Sequence, residues 1–417
     1  MPLKHVHTIV IGGGPAGLAA AISAHKQGVS VLLIERESKL GGILKQCIHD
    51  GFGLDRFKER LTGPEYAKRF IDELDALSID VLLSTTVLHI AKEKEGYCLD
   101  VVNADGVARY SCKSLVLSTG CRERTSRQVF IHGQRPSGVY TAGSAQYFMN
   151  ILGMLPTRRC VILGSGDIGL IMARRLSLEG AQVLGVYEAK PTPSGLTRNL
   201  LQCLEDYNIP LHLSHTVTKV YGDSRLEGVE ISKVDENMHP IPGTSFRVDC
   251  DALILSVGLI PENELAESLS ISLDPKTKGP FVDQYFMTEK EGCFICGNAL
   301  HVNDLVDHVS YCAEKAGTYA AQYENKKHYD QPIQVEGNFG YFIPQRIRYP
   351  LQEDPIACYF RVNREMKKAK FSLIVNDQIV YTKVFHHVKP PEMEFLELKQ
   401  DLFKGAKKIS VKMEELL

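Results

Sequence analysis

The sequence predicts an α/β fold in which two βαβ units of the same kind are accompanied by a small C-terminal β-domain. Three observations lead to this prediction. A strand, glycine loop, helix and second strand follow each other near the N-terminus, the same pattern recurs about 150 residues later, and short strand-like runs follow residue 332. Strands that alternate with helices indicate a parallel sheet, whereas short strands without helices indicate a separate β-domain.

The composition is that of an ordinary globular protein. Of the 417 residues, 24% are charged and 44% are hydrophobic, and the formal net charge is −2. These values exclude disordered, collagen-like and disulfide-scaffold classes, and a near-neutral charge argues against nucleic acid as a partner. The length predicts roughly two to four domains.

The chain carries no pattern typical of membrane insertion or export. No run of about 18 apolar residues is present, and the short apolar run Thr8–Ile11 leads directly into a glycine loop. Eleven cysteines are scattered singly, as is typical of reduced thiols in the cytosol. We therefore expect a soluble, cytoplasmic protein without a membrane span.

The first glycine loop follows an apolar strand and opens a helix. Its residues are Gly12, Gly14, Pro15, Ala16 and Gly17. Gly12 permits a tight turn, Gly14 lets the backbone approach a pyrophosphate, and Gly17 lets the helix pack closely on the strand. The second strand ends at Glu35, 18 residues beyond Gly17, where a carboxylate can accept hydrogen bonds from a ribose. This order of elements predicts a Rossmann-like dinucleotide-binding unit.

The second glycine loop repeats the pattern. Its residues are Gly164, Gly166, Asp167, Ile168 and Gly169. The strand that follows the helix ends at Glu188, 24 residues after Gly164. A carboxylate at this position repels a 2′-phosphate and binds a free 2′-hydroxyl, which favours NAD over NADP. Lys190, two residues further on, leaves NADP open as the alternative.

Two dinucleotide sites in one chain indicate a flavin and a nicotinamide that exchange hydride. With these loops and the runs Leu115–Gly120, Leu253–Asn263 and Thr288–Asn298, the chain resembles the two-dinucleotide-binding-domain flavoproteins, the pyridine nucleotide-disulfide oxidoreductase superfamily. The resemblance covers about residues 5–325 and implies FAD at the first loop and NAD(H) at the second. Asn298 stands where the family usually has Asp, and its amide can still hydrogen-bond a ribitol hydroxyl.

The resemblance also assigns cofactor contacts residue by residue. They are Gly12, Gly14, Pro15, Ala16, Gly17, Glu35, Arg36, Gly42, Thr119, Gly120, Gly164, Gly166, Asp167, Ile168, Gly169, Glu188, Gly258, Gly297, Asn298 and His301. His301 has a second interpretation, as a polar loop residue with no cofactor contact.

Further runs resemble one branch of the superfamily. They are Gly41–Leu54, Leu61–Tyr66, Gly120–Arg124 and Gly138–Gly143. The branch comprises NAD(FAD)-dependent dehydrogenases that accompany a glycerol-3-phosphate-dehydrogenase-like flavoprotein, and it is similar to the alpha subunits of opine, proline and hydrogen-cyanide-forming dehydrogenases. The resemblance implies a partner flavoprotein subunit, an electron carrier and a homo- or hetero-oligomer. An amine, opine or imino-acid dehydrogenase subunit, an NADH oxidase that uses oxygen and a non-catalytic FAD/NAD scaffold remain alternatives.

The motifs divide the chain into three predicted domains. An FAD-binding domain of residues 1–120 and 265–325 is split by an inserted NAD-binding domain of residues 121–264. A polar linker, Glu324–Pro332, leads to an antiparallel β-domain of residues 332–417, in which Val375–Gln378 forms a tight hairpin. This last domain contains no recognisable catalytic constellation, so we expect it to be a scaffold or a docking domain.

The cysteines do not follow the pattern of a redox disulfide. Leu44 and His49 occupy the two places where one type of disulfide reductase in the superfamily carries cysteine. Cys293 and Cys296 form a Cys-x-x-Cys run, but in a strand positions three apart point to opposite faces. We therefore predict that the chain is not a disulfide reductase.

Two residues near the first loop are candidates for catalysis. Cys47 could be a reactive thiol beside the flavin or a small buried hydrophobe. His49 could transfer protons near the flavin or be a polar loop residue. No set of His, Cys, Asp and Glu residues has metal-ligand spacing, so we expect no metal.

Overall fold

The structure is a computed structural model that describes residues 3–352 and 354–416. The chain forms two compact units. Unit 1 comprises Met1–Cys121 together with Pro261–Leu417, and unit 2 comprises Arg122–Ile260. Unit 1 is thus built from two stretches of chain, and unit 2 is inserted between them.

The helices and strands are as follows. The α-helices in the described ranges are α1 (Pro15–Lys26), α2 (Gly63–Ala76), α3 (Ala142–Asn150), α4 (Asp167–Leu178), α5 (Thr197–Cys203), α6 (Glu264–Ser268) and α7 (Val306–Ala321). The strands of the N-terminal stretch are β1 (Lys4–Ile11), β2 (Val31–Ile34), β3 (Asp50–Phe52), β4 (Leu61–Thr62), β5 (Asp80–Leu82), β6 (Thr86–Glu93), β7 (Gly96–Asn103), β8 (Gly106–Leu117) and β9 (Cys121–Glu123).

The remaining strands lie in the middle and C-terminal stretches. Those of the middle stretch are β10 (His132–Gly133), β11 (Val139–Thr141), β12 (Arg159–Leu163), β13 (Gln182–Glu188), β14 (Leu211–Leu213), β15 (His215–Tyr221), β16 (Gly228–Lys233), β17 (Phe246–Asp249), β18 (Ala252–Leu255) and β19 (Leu259–Pro261). Strand β20 (Cys293–Ile295) is the first of the C-terminal stretch. The others of the C-terminal stretch are β21 (Tyr329–Gly337), β22 (Phe339–Ile343), β23 (Arg346–Tyr349), β24 (Ile356–Val362), β25 (Met366–Val375), β26 (Gln378–Val388), β27 (Glu394–Leu398) and β28 (Ile409–Glu415). None of the helices in the described ranges has the length and apolar character that a membrane span requires.

The main sheet of unit 1 confirms the first predicted βαβ unit. Its strand order is β5-β2-β1-β8-β7-β6, and β20 pairs with β8. Strand β1 runs parallel to β2 and β8, and the buried Val10 lies opposite Leu33 and Val116. Helices α1 and α7 approach each other so closely that a Cβ on Gly317 would lie 2.2 Å from the carbonyl oxygen of Ala20. Parallel strands with buried apolar side chains are typical of an α/β layer structure.

The main sheet of unit 2 confirms the second predicted βαβ unit. Its parallel strands have the order β11-β18-β12-β13-β14, and Ile162 on β12 lies opposite Val186 and Ile254. A second sheet of unit 2 has the order β10-β15-β16-β17, and the pairs β3/β4 and β9/β19 form short ribbons. The predicted α/β fold with two Rossmann-like units is therefore confirmed.

The C-terminal stretch of unit 1 forms two further sheets around one core. Their strand orders are β23-β21-β28-β25-β26 and β22-β24-β27. Phenylalanine rings from both sheets pack together, with Phe342 and Phe360 each stacked on Phe371 at 6.1 Å between ring centroids. The predicted hairpin is confirmed: Val375 pairs with Gln378, and residues 376 and 377 between them have φ of 51° and 64°. Positive φ at both central positions is the geometry of a type I′ turn.

Two expectations for this β-domain need correction. The domain is not wholly antiparallel, because β21 runs parallel to β28, with Ile333 opposite Ile409. These strands begin and end the domain, so no hairpin fixes their direction, and the alternation of apolar residues does not reveal which strands pair. The predicted linker is also too long, since β21 begins at Tyr329 rather than after Pro332.

A buried ion pair joins the β-domain to the rest of unit 1. The carboxylate of Asp283 is fully buried and lies 2.8 Å from Nε of Arg348, a residue of β23. The same guanidinium donates two hydrogen bonds of 3.0 Å to Glu291. Gln284 accepts from the backbone N–H of Arg348 at 2.7 Å and donates to its carbonyl oxygen at 2.8 Å. A buried side chain remains charged only when an opposite charge and hydrogen bonds compensate for the hydration that it has lost.

We expect Arg348→Met to lower the free energy of unfolding by about 3–5 kcal/mol, because it leaves the buried Asp283 without its counter-ion. Asp283→Asn combined with Arg348→Met is expected to recover part of this loss. Urea denaturation followed by circular dichroism measures the effect. The control is Arg364→Met, which removes an exposed arginine of the same domain. The account of the ion pair fails if both arginine variants lose the same stability.

Candidate nucleotide-binding sites

The first glycine loop joins β1 to α1 and leaves room at one position. Gly12 has φ of +104°, and a Cβ on it would lie 2.4 Å from the carbonyl oxygen of Ser118. A Cβ on Gly17 would lie 1.6 Å from the carbonyl oxygen of Gly12, so neither position accepts a side chain. At Gly14, by contrast, the nearest heavy atom to a Cβ is Cα of Gly42 at 3.8 Å. Gly14 is therefore the least crowded glycine of the motif, where a ligand group can approach the backbone.

Glu35 holds the loop from the end of β2. Its buried carboxylate accepts a 2.6 Å hydrogen bond from the N–H of Gly13 and a 2.8 Å hydrogen bond from the N–H of Glu37. Each carboxylate oxygen has a second lone pair, so the group can still accept from the hydroxyls of a ribose.

Other residues assigned to the first site surround the same loop. A Cβ on Gly42 would lie 2.9 Å from Cα of Gly14. The hydroxyl of Thr119 donates to the carbonyl oxygen of Glu262 at 2.6 Å, and the carbonyl oxygen of Gly120 accepts from the N–H of Glu262 at 3.0 Å. The exposed guanidinium of Arg36 lies 3.4 Å from the carboxylate of Glu262. Gly42 thus borders the first glycine loop, whereas residues 119–120 bind the segment that carries Glu262.

The turn before α7 reaches the N-terminus of α1. A Cβ on Gly297 would lie 2.8 Å from Cβ of Ala16, which places the turn directly against the first glycine loop. Oδ1 of Asn298 accepts from the backbone N–H of Asn303 at 3.0 Å and from its side-chain amide at 3.3 Å. The Nδ2 amide of Asn298 donates to Sγ of Cys121 at 3.5 Å. The partly buried Asn298 is therefore held in one orientation by its own loop.

His301 lies beneath the C-terminal β-domain. Its side chain is buried, its Nδ1 lies 3.4 Å from the hydroxyl oxygen of Tyr341, and its ring lies 5.1 Å from the ring of Tyr359. Burial lowers the pKa of His301 to about 3, so the imidazole is neutral at physiological pH. His301 is thus a buried loop residue packed between two tyrosine rings.

Arg361 fixes this loop from the β-domain, and the sequence interpretation missed it. Its guanidinium donates to the carbonyl oxygen of Val302 at 3.2 Å and also binds the carboxylate of Asp304. Asp304 in turn accepts a 2.6 Å hydrogen bond from the N–H of Met393. The sequence shows only one arginine within the apolar strand β24. Its partners at residues 302 and 304 lie almost 60 positions earlier in the chain, so the sequence does not reveal what it binds.

Cys47 and His49 lie on the segment that follows Gly42. The Cys47 thiol donates to the carbonyl oxygen of Ile43 at 3.4 Å, and burial raises its pKa to about 12. A thiol with such a pKa is protonated at neutral pH and is a poor nucleophile. The ring of the partly buried His49 lies 5.1 Å from the ring of Phe52.

The second glycine loop joins β12 to α4 and repeats the geometry of the first. A Cβ on Gly164 would lie 2.1 Å from the carbonyl oxygen of Ser256, and one on Gly169 would lie 2.7 Å from Cβ of Ser256. At Gly166 the nearest heavy atom to a Cβ is Oγ of Ser256 at 3.5 Å. Gly166 therefore corresponds to Gly14, with backbone that a ligand group can approach.

Glu188 is bound more fully than Glu35. Its buried carboxylate accepts from the N–H of Ser165 at 3.0 Å, from the Ser165 hydroxyl at 2.6 Å and from the Ser194 hydroxyl at 3.2 Å. The N–H of Lys190 donates to its other oxygen at 3.0 Å, while the Lys190 ammonium lies 3.4 Å from Ser194. The two serines are contacts that the sequence interpretation missed, although Ser165 lies within the loop motif.

The remaining residues assigned to the second site have structural contacts. Oδ1 of Asp167 accepts from the N–H of Leu196 at 2.9 Å and from the Asn199 amide at 2.6 Å, so this side chain fixes the segment before α5. Ile168 is partly buried in α4. The carbonyl oxygen of Gly258 accepts from the N–H of Arg124 at 3.0 Å.

The Cys-x-x-Cys run lies in the core of unit 1. Cys293 begins β20 and Cys296 directly follows it. Both are fully buried, and burial raises the pKa of both thiols, for Cys293 to about 12. Over residues 3–352 and 354–416, no three His, Cys, Asp or Glu side chains are grouped so that they could hold a metal ion.

Comparison with known proteins agrees with this geometry. The family model of pyridine nucleotide-disulphide oxidoreductases matches residues 6–317, which include both glycine loops. The chain is 29% identical to the hydrogen cyanide synthase subunit HcnB of Pseudomonas protegens, over 64% of this chain and 59% of that protein. It is 25% identical to an opine oxidase subunit of Agrobacterium tumefaciens, over 75% of this chain and 64% of that protein. The chain thus spans about three fifths of the length of these curated relatives.

A solved structure shows the same fold. The thioredoxin reductase of T. acidophilum superposes with a TM-score of 0.61 at 21% identity, over 76% of this chain and 98% of that one. FAD and NAD(P)H are the nucleotides that the family uses, as the two loops predict. Since the family model spans most of the chain, the chain belongs to the pyridine nucleotide-disulphide oxidoreductase family.

Proposed function

We propose that the chain transfers hydride between NAD(H) and FAD as the NAD-linked subunit of a dehydrogenase complex. FAD occupies the domain of residues 1–120 and 265–325, and NAD(H) occupies the domain of residues 121–264. One observation supports this above all others: each glycine loop donates a backbone N–H to a buried carboxylate, Glu35 in one and Glu188 in the other. Two complete sites of this kind fit two dinucleotides.

The residues of unit 1 fit FAD. The open space at Gly14 suits a pyrophosphate, the Glu35 carboxylate suits a ribose, and the carboxamide of Asn298 suits the ribitol. When bound, FAD supplies a ring that accepts or donates hydride. The protein contributes position and electrostatics, so hydride transfer itself requires no side-chain base. His49 remains a candidate for the movement of a proton beside the flavin.

The residues of unit 2 fit NAD(H) better than NADP(H). The Glu188 carboxylate stands where a 2′-phosphate would be, and two serine hydroxyls fix it there. The ammonium of Lys190 interacts with Ser194 rather than remaining available to a phosphate. We therefore propose NADH as the physiological nucleotide.

Disulfide reduction is not part of the proposed function. A redox disulfide needs an accessible thiolate, whereas burial keeps the Cys47 thiol protonated by raising its pKa to about 12. Cys293 and Cys296 are buried in the core of unit 1. Cys47 is only partly buried, so these facts favour an unreactive, protonated thiol at this position.

The electron partner is proposed to be a second flavoprotein subunit. HcnB and the opine oxidase relative are, by their names, subunits of larger enzymes. Our first candidate is a glycerol-3-phosphate-dehydrogenase-like protein that oxidises glycerol 3-phosphate or another small hydroxy acid. The similarity to the opine oxidase relative favours an amine or opine dehydrogenase as the second candidate. The two differ in the substrate that bleaches the flavin of the assembled complex.

Anaerobic titration of the purified chain tests hydride transfer. We expect stoichiometric NADH to bleach the flavin absorbance and NADPH to do so far more slowly, because Glu188 repels the 2′-phosphate. A yellow protein that neither nucleotide bleaches would contradict transfer within this chain. Rapid peroxide formation from NADH in air would instead indicate an NADH oxidase.

Two matched glycine variants separate the two sites. We expect Gly14→Ala to fold but to lose FAD, because its methyl group fills the space that the pyrophosphate needs. We expect Gly166→Ala to retain FAD and to require about tenfold more NADH for bleaching, because its methyl group hinders the approach of the pyrophosphate and tenfold weaker binding corresponds to about 1.4 kcal/mol. Flavin content and the NADH titration are the measurements. If Gly14→Ala retains FAD and Gly166→Ala loses it, the assignment of the two loops is wrong.

A further variant tests the loop that carries Asn298. Arg361→Met removes the hydrogen bonds that fix residues 302–304, and we expect it to weaken FAD binding by about tenfold. Arg361→Lys keeps the charge and is expected to lie between the methionine variant and the wild type. The dissociation constant of FAD, measured by flavin fluorescence, reports the effect, and Arg364→Met is the control. Equal FAD affinity in all four proteins would show that Arg361 does not position this loop.

A further inference from the structure

An exposed apolar surface follows helix α3 in unit 2. We call it the α3 patch, and its side chains each expose between 43% and 57% of their area. The members are Tyr147, Ile151, Leu152, Met154 and Leu155. These five large apolar side chains fall within nine residues of the chain, whereas single exposed hydrophobic residues are common on any protein and need no explanation.

The α3 patch is built on a hydrogen-bonded turn and is therefore ordered. The N–H of Ile151 donates to the carbonyl oxygen of Tyr147 at 3.0 Å, and the N–H of Met154 donates to that of Phe148 at 2.9 Å. Gly153 between them has φ of +64°, which turns the chain at the end of the helix. The apolar side chains are thus presented by a fixed backbone, as a preformed binding surface requires.

The core of unit 2 does not need these side chains. The buried face of α3 consists of Ala142, Ala145 and Met149, which pack into the hydrophobic cluster beneath the parallel sheet. The patch lies on the other side of the helix and on the turn that follows. The patch residues are about half covered in the folded chain, and exposing the rest of their apolar area to water is unfavourable unless a partner covers it.

Charged residues border the α3 patch. Arg158 and Arg159 follow it in sequence and are exposed, and the guanidinium of Arg225 donates to the carbonyl oxygen of Pro156 at 2.9 Å. An apolar centre with a charged border is the anatomy of a protein interface. Asp251 lies 3.9 Å from Arg225 at the same border, so the positive charge offered to a partner is carried mainly by Arg158 and Arg159.

We propose that the α3 patch is the docking surface for the partner subunit, which presents an apolar pocket bordered by carboxylates. The proposal rests on the proposed function in that it takes the partner to be the second subunit of the dehydrogenase. The apolar centre supplies the affinity, and the arginines select an acidic partner and make its binding sensitive to salt.

The experiment uses the full-length, FAD-loaded chain made in its native host. A photo-crosslinking phenylalanine derivative replaces Met154, and the crosslinked polypeptide is identified by peptide mass spectrometry. Affinity for that polypeptide, once purified, is measured at low and high salt for the wild type and for Met154→Glu. The matched control is Met238→Glu, another methionine of unit 2 with 53% exposure.

We expect one crosslinked polypeptide that co-purifies at a fixed ratio, that carries flavin and that has acidic residues at the crosslinked site. Met154→Glu is expected to weaken its binding by about tenfold or more, because a charge enters the apolar centre, while Met238→Glu leaves it unchanged. High salt is expected to weaken the wild-type complex. Met154→Glu should be bleached by NADH like the wild type, so failure of docking is distinguishable from failure of hydride transfer.

Other outcomes would overturn the proposal. A crosslink only to a second copy of the chain would make the patch a self-association surface. Co-sedimentation of the wild type, but not of Met154→Glu, with vesicles of phosphatidylglycerol and phosphatidylcholine would make it a membrane contact. No crosslink, or equal loss of affinity in Met154→Glu and Met238→Glu, would show that the patch docks nothing.

Discussion

The hydrogen bond between a strand-end carboxylate and the backbone of a glycine loop is the constraint on which both nucleotide sites depend. Glu35 receives the N–H of Gly13 at 2.6 Å, and Glu188 receives the N–H of Ser165 at 3.0 Å. Both carboxylates are buried, so each would be strongly unfavourable without these donors. The bond holds each loop tight against its sheet and leaves the backbone of the middle glycine exposed to a ligand. The geometry that binds a dinucleotide is therefore the one that satisfies the buried charge.

The C-terminal β-domain acts on the first site through contacts within unit 1. The Asp283–Arg348 ion pair joins the domain to the segment that precedes β20. Arg361 then fixes the loop after Asn298, and two tyrosines enclose the neutral His301. The C-terminal β-domain thus determines where the loop after Asn298 lies. This explains why charged and polar groups are buried at its contact with the rest of the unit.

Local features could be predicted from the sequence, whereas contacts between remote segments could not. The glycine loops, their acids and the Asn376-Asp377 turn were predictable, because each is determined by a sequence pattern that spans only a few residues. The parallel pairing of β21 with β28, the burial of His301 and the role of Arg361 depend on segments far apart in the chain. For the same reason the sequence could not reveal that Cys47 is buried enough to remain a protonated thiol.

The central claim is that hydride passes between the nucleotide of the second loop and the flavin of the first. The most direct measurement uses two samples of NADH, each deuterated on a different face of C4 of the nicotinamide, mixed anaerobically with the purified chain. We predict that only one of the two labels slows bleaching of the flavin absorbance, and that this sample gives NAD⁺ without deuterium while the other sample gives NAD⁺ that retains it. Bleaching that neither label slows, with NAD⁺ that has lost deuterium equally from both samples, or a flavin that NADH does not bleach, would contradict the claim.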